Sequence, residues 1–184
     1  MALVHCFDGI VPEAIPPAAL VLGYVDGNWA TYDTLATRFA RATTKVLSVT
    51  VSGRPGADIA DCESGDLTPA DAALWARTEL AAGKHPTVYG SRDYILATQT
   101  ELRSLRVEQN LVGWWLAWYV QVAPAFERIR WPHYVPQGFV GWQFADSVPA
   151  PGGHAIDASV VRMDWARRHG WTGRLRGIHV TVGK

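Results

Sequence analysis

Ala57-Asp58-Ile59-Ala60-Asp61-Cys62-Glu63 runs into Ser64-Gly65-Asp66. The apolar-rich stretch predicts a β-strand, and Ser-Gly-Asp predicts the turn that leaves it. Residues two apart in a strand share a face and lie about 6.6 Å apart. Asp61 and Glu63 therefore project side by side at the carboxyl end of one strand. Crowded carboxylates push their pKa values apart, so that one keeps a proton while its neighbour stays charged. Glycosidic bond cleavage uses such a pairing. Two solvated acids at an exposed strand end is the alternative reading of the same residues.

Working outward, the neighbouring apolar runs follow one format. Leu3–Phe7 ends in Asp8-Gly9, and Leu20–Val25 ends in Asp26-Gly27. Lys45–Val51 is rich in β-branched residues. Further runs are Pro86–Tyr89, Val112–Tyr119, Phe139–Phe144 and His154–Val161. Between them, Thr31 is placed to cap a helix reaching about Arg41. Thr68-Pro69-Ala70-Asp71 starts a second helix, with a Thr cap, Pro at the first helical position and an acid in the first turn. That helix stops near Gly83. Ser91 to about Arg106 predicts another, and Pro124–Ile129 a short one. Pro12, Pro16 and Pro17 disfavour a helix after the first run.

Strand-like runs alternating with helices predict a parallel α/β sheet closed into a barrel. The fold class expected is an irregular TIM-like β/α barrel with about eight strands and several helices missing or shortened, because such barrels usually need about 200 residues or more. Chemistry in a barrel sits at the carboxyl ends of the strands, where Asp8, Asp26, Asp61 and Glu63 fall.

Composition narrows the function. Apolar residues make up 48% of the 184 and charged residues 18%, which is globular. Seventeen basic residues balance 17 acidic ones, so no global field favours nucleic acid as a partner. No segment is long and apolar enough to insert in a membrane, and Met1–His5 lacks the start of a secretory signal. A soluble protein without a standard export route is therefore expected. Residues 162–184 form a locally basic extension, with Arg162, Arg167, Arg168, Arg174, Arg176 and Lys184. It is expected to pack on the same domain as residues 1–161. Cys6 shares the facing of Asp8 while Cys62 faces away from Asp61 and Glu63, so no disulfide is expected. The six histidines show no zinc spacing, and neither a dinucleotide fingerprint nor a phosphate loop is present, so no metal and no cofactor are expected. Nine tryptophans suit a core or the stacking of sugar rings.

The order of these features resembles the family-25 glycoside hydrolases, the lysozyme-like muramidases. The resemblance runs from Asp8 through Asp61-Cys62-Glu63 to Pro86-Thr87-Val88-Tyr89-Gly90-Ser91. It continues with Trp115-Leu116-Ala117-Trp118-Tyr119, Trp142-Gln143-Phe144 and Ile156-Asp157-Ala158-Ser159. It implies an acidic groove that cleaves the β-1,4 bond between N-acetylmuramic acid and N-acetylglucosamine, with a peptidoglycan glycan strand as partner. Carried onto this chain, it implies Glu63 as general acid, Asp61 as stabiliser of an acetamido-assisted intermediate, and Asp8 beside them. It further implies Asp26, Tyr89, Trp115, Tyr119, Trp142, Gln143 and Asp157 as substrate-binding residues. Asp8 is followed by Gly9-Ile10-Val11 instead of the family's longer pattern, and Ser159 stands where the family has Asn. These departures keep a second reading open: a non-catalytic barrel acting in virion structure, assembly or wall attachment, docked to virion proteins or to itself.

Overall fold

The computed structural model describes residues 2–120, 129–136 and 138–173. Eight strands close in sequence order into one barrel: β1 (Leu3–Asp8), β2 (Leu20–Tyr24), β3 (Lys45–Thr50), β4 (Ile59–Asp61), β5 (Thr87–Ser91), β6 (Gly113–Ala117), β7 (Gly141–Pro149) and β8 (Ala155–Arg162). Four α-helices accompany them among the described residues: α1 (Tyr32–Arg38), α2 (Pro69–Ala81), α3 (Arg92–Ser104) and α4 (Met163–Arg168). This is the irregular TIM-like barrel expected, with crossovers missing. Only a 3-10 turn, Pro12–Ala14, joins β1 to β2, and no helix joins β3 to β4. The short helix expected over Pro124–Ile129 and the basic residues after Gly173 lie outside the described residues, Ile129 excepted.

The expected parallel sheet needs one correction. β1 through β7 pair in parallel, but β8 runs antiparallel to both β7 and β1. A parallel crossover needs a dozen or more residues. The β7–β8 link is a short turn through Gly152 and Gly153, both at positive φ, so the chain reverses.

Period-two alternation sorts the strand residues into two layers. Val4 and Cys6 of β1, Leu20 and Leu22 of β2, Leu47 and Val49 of β3, Ile59 of β4 and Trp115 of β6 form one cluster. Its only helical contributions come from α4, so it is the barrel interior. Their strand neighbours Val21, Val46, Ala60, Trp114 and Leu116 face outward, toward α1, α2 and α3. Trp165 of α4 closes the amino-terminal end. It stands edge-on to Trp115 with centroids 5.5 Å apart, and its Nε1 donates to Thr87 Oγ1 at 2.9 Å. α4 follows β8 directly, so the start of the basic extension is part of the barrel's floor.

Local chemistry explains the helix ends. Thr68 Oγ1 accepts from the Asp71 backbone N–H at 3.2 Å, and Ser91 likewise caps α3 through the Tyr94 N–H. Gly83, at φ +76°, ends the turn after α2. Thr31 departs from expectation: its Oγ1 accepts from the Tyr24 N–H at 3.1 Å instead of capping α1, which ends at Arg38. Buried Glu79 of α2 accepts from the Gly56 N–H at 2.9 Å and pairs with Lys84 at 2.8 Å, tying the β3–β4 loop to the helix layer.

Candidate active site

The acids are brought together by strand facing. Asp8 is two residues beyond Cys6 and Asp61 two beyond Ile59, so both point into the barrel above its apolar filling. Each is 5% exposed. Glu63, two residues past the end of β4, is half-buried at the rim. The reversal of β8 puts Asp157 directly across from Asp8 in the ladder. Had β8 run parallel, its amino-terminal half would lie at the opposite end of the barrel. Asp157 Oδ1 accepts from the Ser147 N–H at 3.3 Å and is also hydrogen-bonded by the Gln143 side chain. Ser147 reaches it because β7 is bulged between Ala145 and Val148, with Ser147 itself at φ +54°. Bulges of this kind re-aim groups beside functional sites.

Hydroxyls surround the acids. Tyr89 of β5 pairs in register with Asp61, and its hydroxyl hydrogen-bonds that of Tyr119, which is largely exposed at the rim. Tyr24, at the end of β2, donates to Asp61 Oδ2 over a long 3.4 Å. Asp8 Oδ1, Asp61 Oδ1 and Ser159 Oγ are buried without a hydrogen-bond partner among the described residues. Such orphaned groups are costly in a fold and concentrate where function requires them.

Burial raises the Asp8 carboxyl well above the ordinary range, with added repulsion from Asp157, Asp61 and Glu63. Burial also pushes Asp61 up to about 8, reinforced by Glu63 and Asp66 and opposed by the Tyr24 hydroxyl. Glu63 is raised by burial and then by Asp66 and Asp157. Asp157 is raised by burial against the pull of its two hydrogen bonds. Burial thus favours the protonated form of Asp61 at neutral pH, beneath a more accessible Glu63. Among the described residues no group of His, Cys, Asp and Glu is arranged to hold a metal ion. Nor is any helix among them long and apolar enough to cross a membrane.

Of the residues singled out from sequence, Asp8, Asp61, Glu63, Asp157, Tyr89, Tyr119 and Gln143 meet here. Asp26 does not. Its carboxylate accepts from Thr50 Oγ1 (2.5 Å), the Val51 N–H (2.8 Å) and Ser52 Oγ (2.7 Å), anchoring the loop after β3. Burial acts upward on Asp26, but these bonds and Arg54 outweigh it and hold the carboxyl below its usual range. Trp115 is fully buried inside the barrel, against Trp165, and offers no face to a sugar. Trp142 is 3% exposed and packs outward of the strands, on Phe144. Cys6 and Cys62 are both buried free thiols, with Cys62 Sγ turned to Thr98 of α3 at 3.5 Å. Tyr24 and Ser147 were not anticipated. Tyr24 sits at a strand end two residues past inward-facing Leu22, a signal that a search confined to acids passes over. Clefts of about 300 Å³ and 530 Å³ flank the β3–β4 loop; Tyr24, Ser48 and Arg54 line the first and Ser52, Asp66 and Trp75 the second, and none of the four converging acids lines either.

No protein-family model matches the sequence, and no curated protein matches it. Solved structures do. One is the CTP1L endolysin, 17% identical with a TM-score of 0.51, the match covering 80% of this chain. Another is the Clostridium perfringens spore cortex lytic enzyme SleM, 12% identical with a TM-score of 0.54, covering 88% of this chain and 68% of that one. The chain shares their barrel fold. It spans 59% of the endolysin's length. The Mycobacterium tuberculosis Tat-secreted protein Rv2525c, in complex with L-tartrate, is 16% identical over 89% of this chain and all of its own, at a TM-score of 0.46.

Proposed function

We propose that this chain is a peptidoglycan-directed glycoside hydrolase of the family-25 kind, cleaving the β-1,4 bond between N-acetylmuramic acid and N-acetylglucosamine. The observation that carries the reading is the convergence of Asp8, Asp61, Glu63 and Asp157 at one mouth of the barrel. A fold shared with an endolysin and a spore cortex lytic enzyme supports it.

Glu63 is the general acid. Its raised pKa keeps a proton available, and its place at the rim exposes that proton to the leaving oxygen. As the glycosidic bond breaks, the substrate's acetamido oxygen closes on the anomeric carbon and positive charge develops. Asp61 releases its proton to solvent at the rim as that charge appears, because a nearby cation favours the ionised carboxyl, and takes a proton back from solvent once the intermediate has opened. The ionised Glu63 then takes a proton from the water that opens the intermediate, restoring the starting state. Asp8 and Asp157 set the charge of the floor, and Gln143 with Ser147 holds Asp157 in place.

The test is reducing-sugar release from purified peptidoglycan by wild type and Glu63→Gln side by side. Wild type is expected to release reducing ends, and Glu63→Gln to lose at least a hundredfold in rate while keeping its circular dichroism spectrum. Wild type that is inactive on every peptidoglycan chemotype overturns the reading in favour of the non-catalytic barrel.

A further inference from the structure

The acids meet at one mouth of the barrel, and basic side chains gather at the opposite end, where α4 lies. Arg162 ends β8, Arg167 and Arg168 are exposed on α4, and Lys45 opens β3. Lys45 Nζ lies against Gly170, 3.7 Å from where a Cβ would stand. Asp164 is the acid among them, and Arg162 already holds it, Nε donating to Oδ1 at 3.1 Å and Nη2 to Oδ2 at 2.9 Å. One carboxylate cannot offset four cations, so this end carries a local positive surplus in a chain of zero net charge. From Arg167 to Lys184 the sequence has no Asp or Glu.

A recess of about 130 Å³ opens into this end, between α4 and the segments that lead into β5, β6 and β7. That is room for one phosphate group, since a water takes about 30 Å³ of the liquid. Three donors line it uncommitted. Arg168 Nη2 is 3.9 Å from Asp164 Oδ2, too long for a hydrogen bond. The Asn110 amide and the His85 ring have no hydrogen-bond partner among the described residues. The frame behind them is fixed. Trp165 backs the recess, and the His169 ring spans from Trp165 O at 3.0 Å to His85 O at 3.1 Å, tying α4 to the segment before β5. Glu108 is exposed two residues before Asn110 but does not line the recess. A guanidinium fork with an amide and an imidazole around a small hollow suits a phosphate oxyanion.

Charge also selects the occupant. A polyanion is repelled by the acids at the mouth and drawn to the α4 end, so binding there leaves the mouth open. Docking on a bilayer draws on an apolar face as well, but α4 turns Trp165 and Ala166 inward, and Leu111 is the large apolar side chain exposed at the recess. A hydrated phosphodiester chain fits this surface better. Resting on the hydrolase reading above for the setting of a cell wall, we propose that the recess of Arg168, Asn110 and His85 binds the phosphate groups of a wall polyanion, a chain of polyol units joined by phosphodiesters. The enzyme is then held by one polymer while its opposite end cuts another.

The test measures retention of the full chain on immobilised poly(glycerol phosphate). Retention is expected at about 0.01 M salt and should fall by about 0.15 M, as the Debye length shrinks from about 30 Å to about 8 Å. Arg168→Gln is expected to weaken binding roughly threefold to fivefold, Arg168→Glu further, and the charge-neutral Asn110→Ala roughly twofold. Arg92→Gln removes a cation at the start of α3, on the mouth side, and is expected to bind as wild type does. All three positions are exposed, so each variant should melt as wild type does. Equal retention of wild type and Arg168→Glu overturns the site, and so does a wild type that is never retained. A loss in Arg92→Gln as large as in Arg168→Gln also overturns it, because binding then follows net charge alone. Tighter binding to vesicles of equal parts phosphatidylcholine and phosphatidylglycerol, or to duplex DNA, overturns the occupant. Wild type and Arg168→Glu should release reducing ends equally from peptidoglycan stripped of its polyanion. Arg168-dependent polymer binding with no such release by wild type overturns the hydrolase reading and leaves the recess standing.

Discussion

Replacing Asp61 by Asn is expected to stabilise the fold at pH 8 while abolishing hydrolysis. In the folded chain the Asp61 carboxyl is pushed up to about 8 from an ordinary 3.8. Between those values the unfolded chain has released the proton and the folded chain still holds it. Unfolding therefore releases a proton, and raising the pH through this window favours unfolding. Each pH unit of the window is worth about 1.4 kcal/mol, so one such carboxyl costs at most about 6 kcal/mol at pH 8. Relaxation and water entry in a real groove reduce that ceiling, and about 2–4 kcal/mol is expected. Asn keeps the shape and the Tyr24 contact but has nothing to ionise. Urea denaturation at pH 4 and pH 8 is the assay. Wild type and Asp61→Asn should be nearly equally stable at pH 4 and differ by about 2–4 kcal/mol at pH 8, with the variant ahead. Thermal melting at pH 8 should rise by at least about 5 °C for a chain of 184 residues. Equal pH dependence in the two proteins, or a variant less stable at pH 8, would refute the claim that Asp61 is held protonated by burial. A variant that is more stable and inactive is the pattern left when a strained functional group is removed.

Tyr24→Phe removes the hydroxyl that favours the ionised form of Asp61, so the carboxyl's titration should move further up. Carboxyl carbon NMR against pH reads this directly, and a downward movement contradicts the assignment. Glu79→Ala should destabilise the fold by about 1.5–3 kcal/mol, because it removes the buried charged acceptor of the Gly56 N–H that ties the loop to α2. Chemical denaturation at neutral pH checks it, and a change under about 0.5 kcal/mol would show that the loop does not depend on that tie.

Much of the barrel is legible from short-range chemistry. Period-two alternation identifies the strands and turns Asp8 and Asp61 to the side opposite Phe7 and Cys62. Thr68-Pro69 and Ser91 mark helix starts because a side-chain oxygen beside free backbone N–H groups is a local event. Asp26 was misleading for the same reason. At a strand end it looks like Asp8, yet its oxygens are occupied by Thr50, Val51 and Ser52, about 25 residues on. Trp115, Trp118 and Trp142 are one residue type, and only their neighbours decide that Trp115 fills the barrel, Trp142 is buried outside it and Trp118 is exposed.

By itself, then, the sequence determined the strand faces, the helix starts and the placing of acids at strand ends, all set by residues a few positions apart. The tertiary structure alone decided that β8 runs backward and so delivers Asp157 to Asp8. It also decided that Asp61 is the buried, protonated acid and Glu63 the accessible one, though two positions separate them. Burial and electrostatic repulsion are sums over neighbours that the chain brings from a distance, and no local pattern contains them.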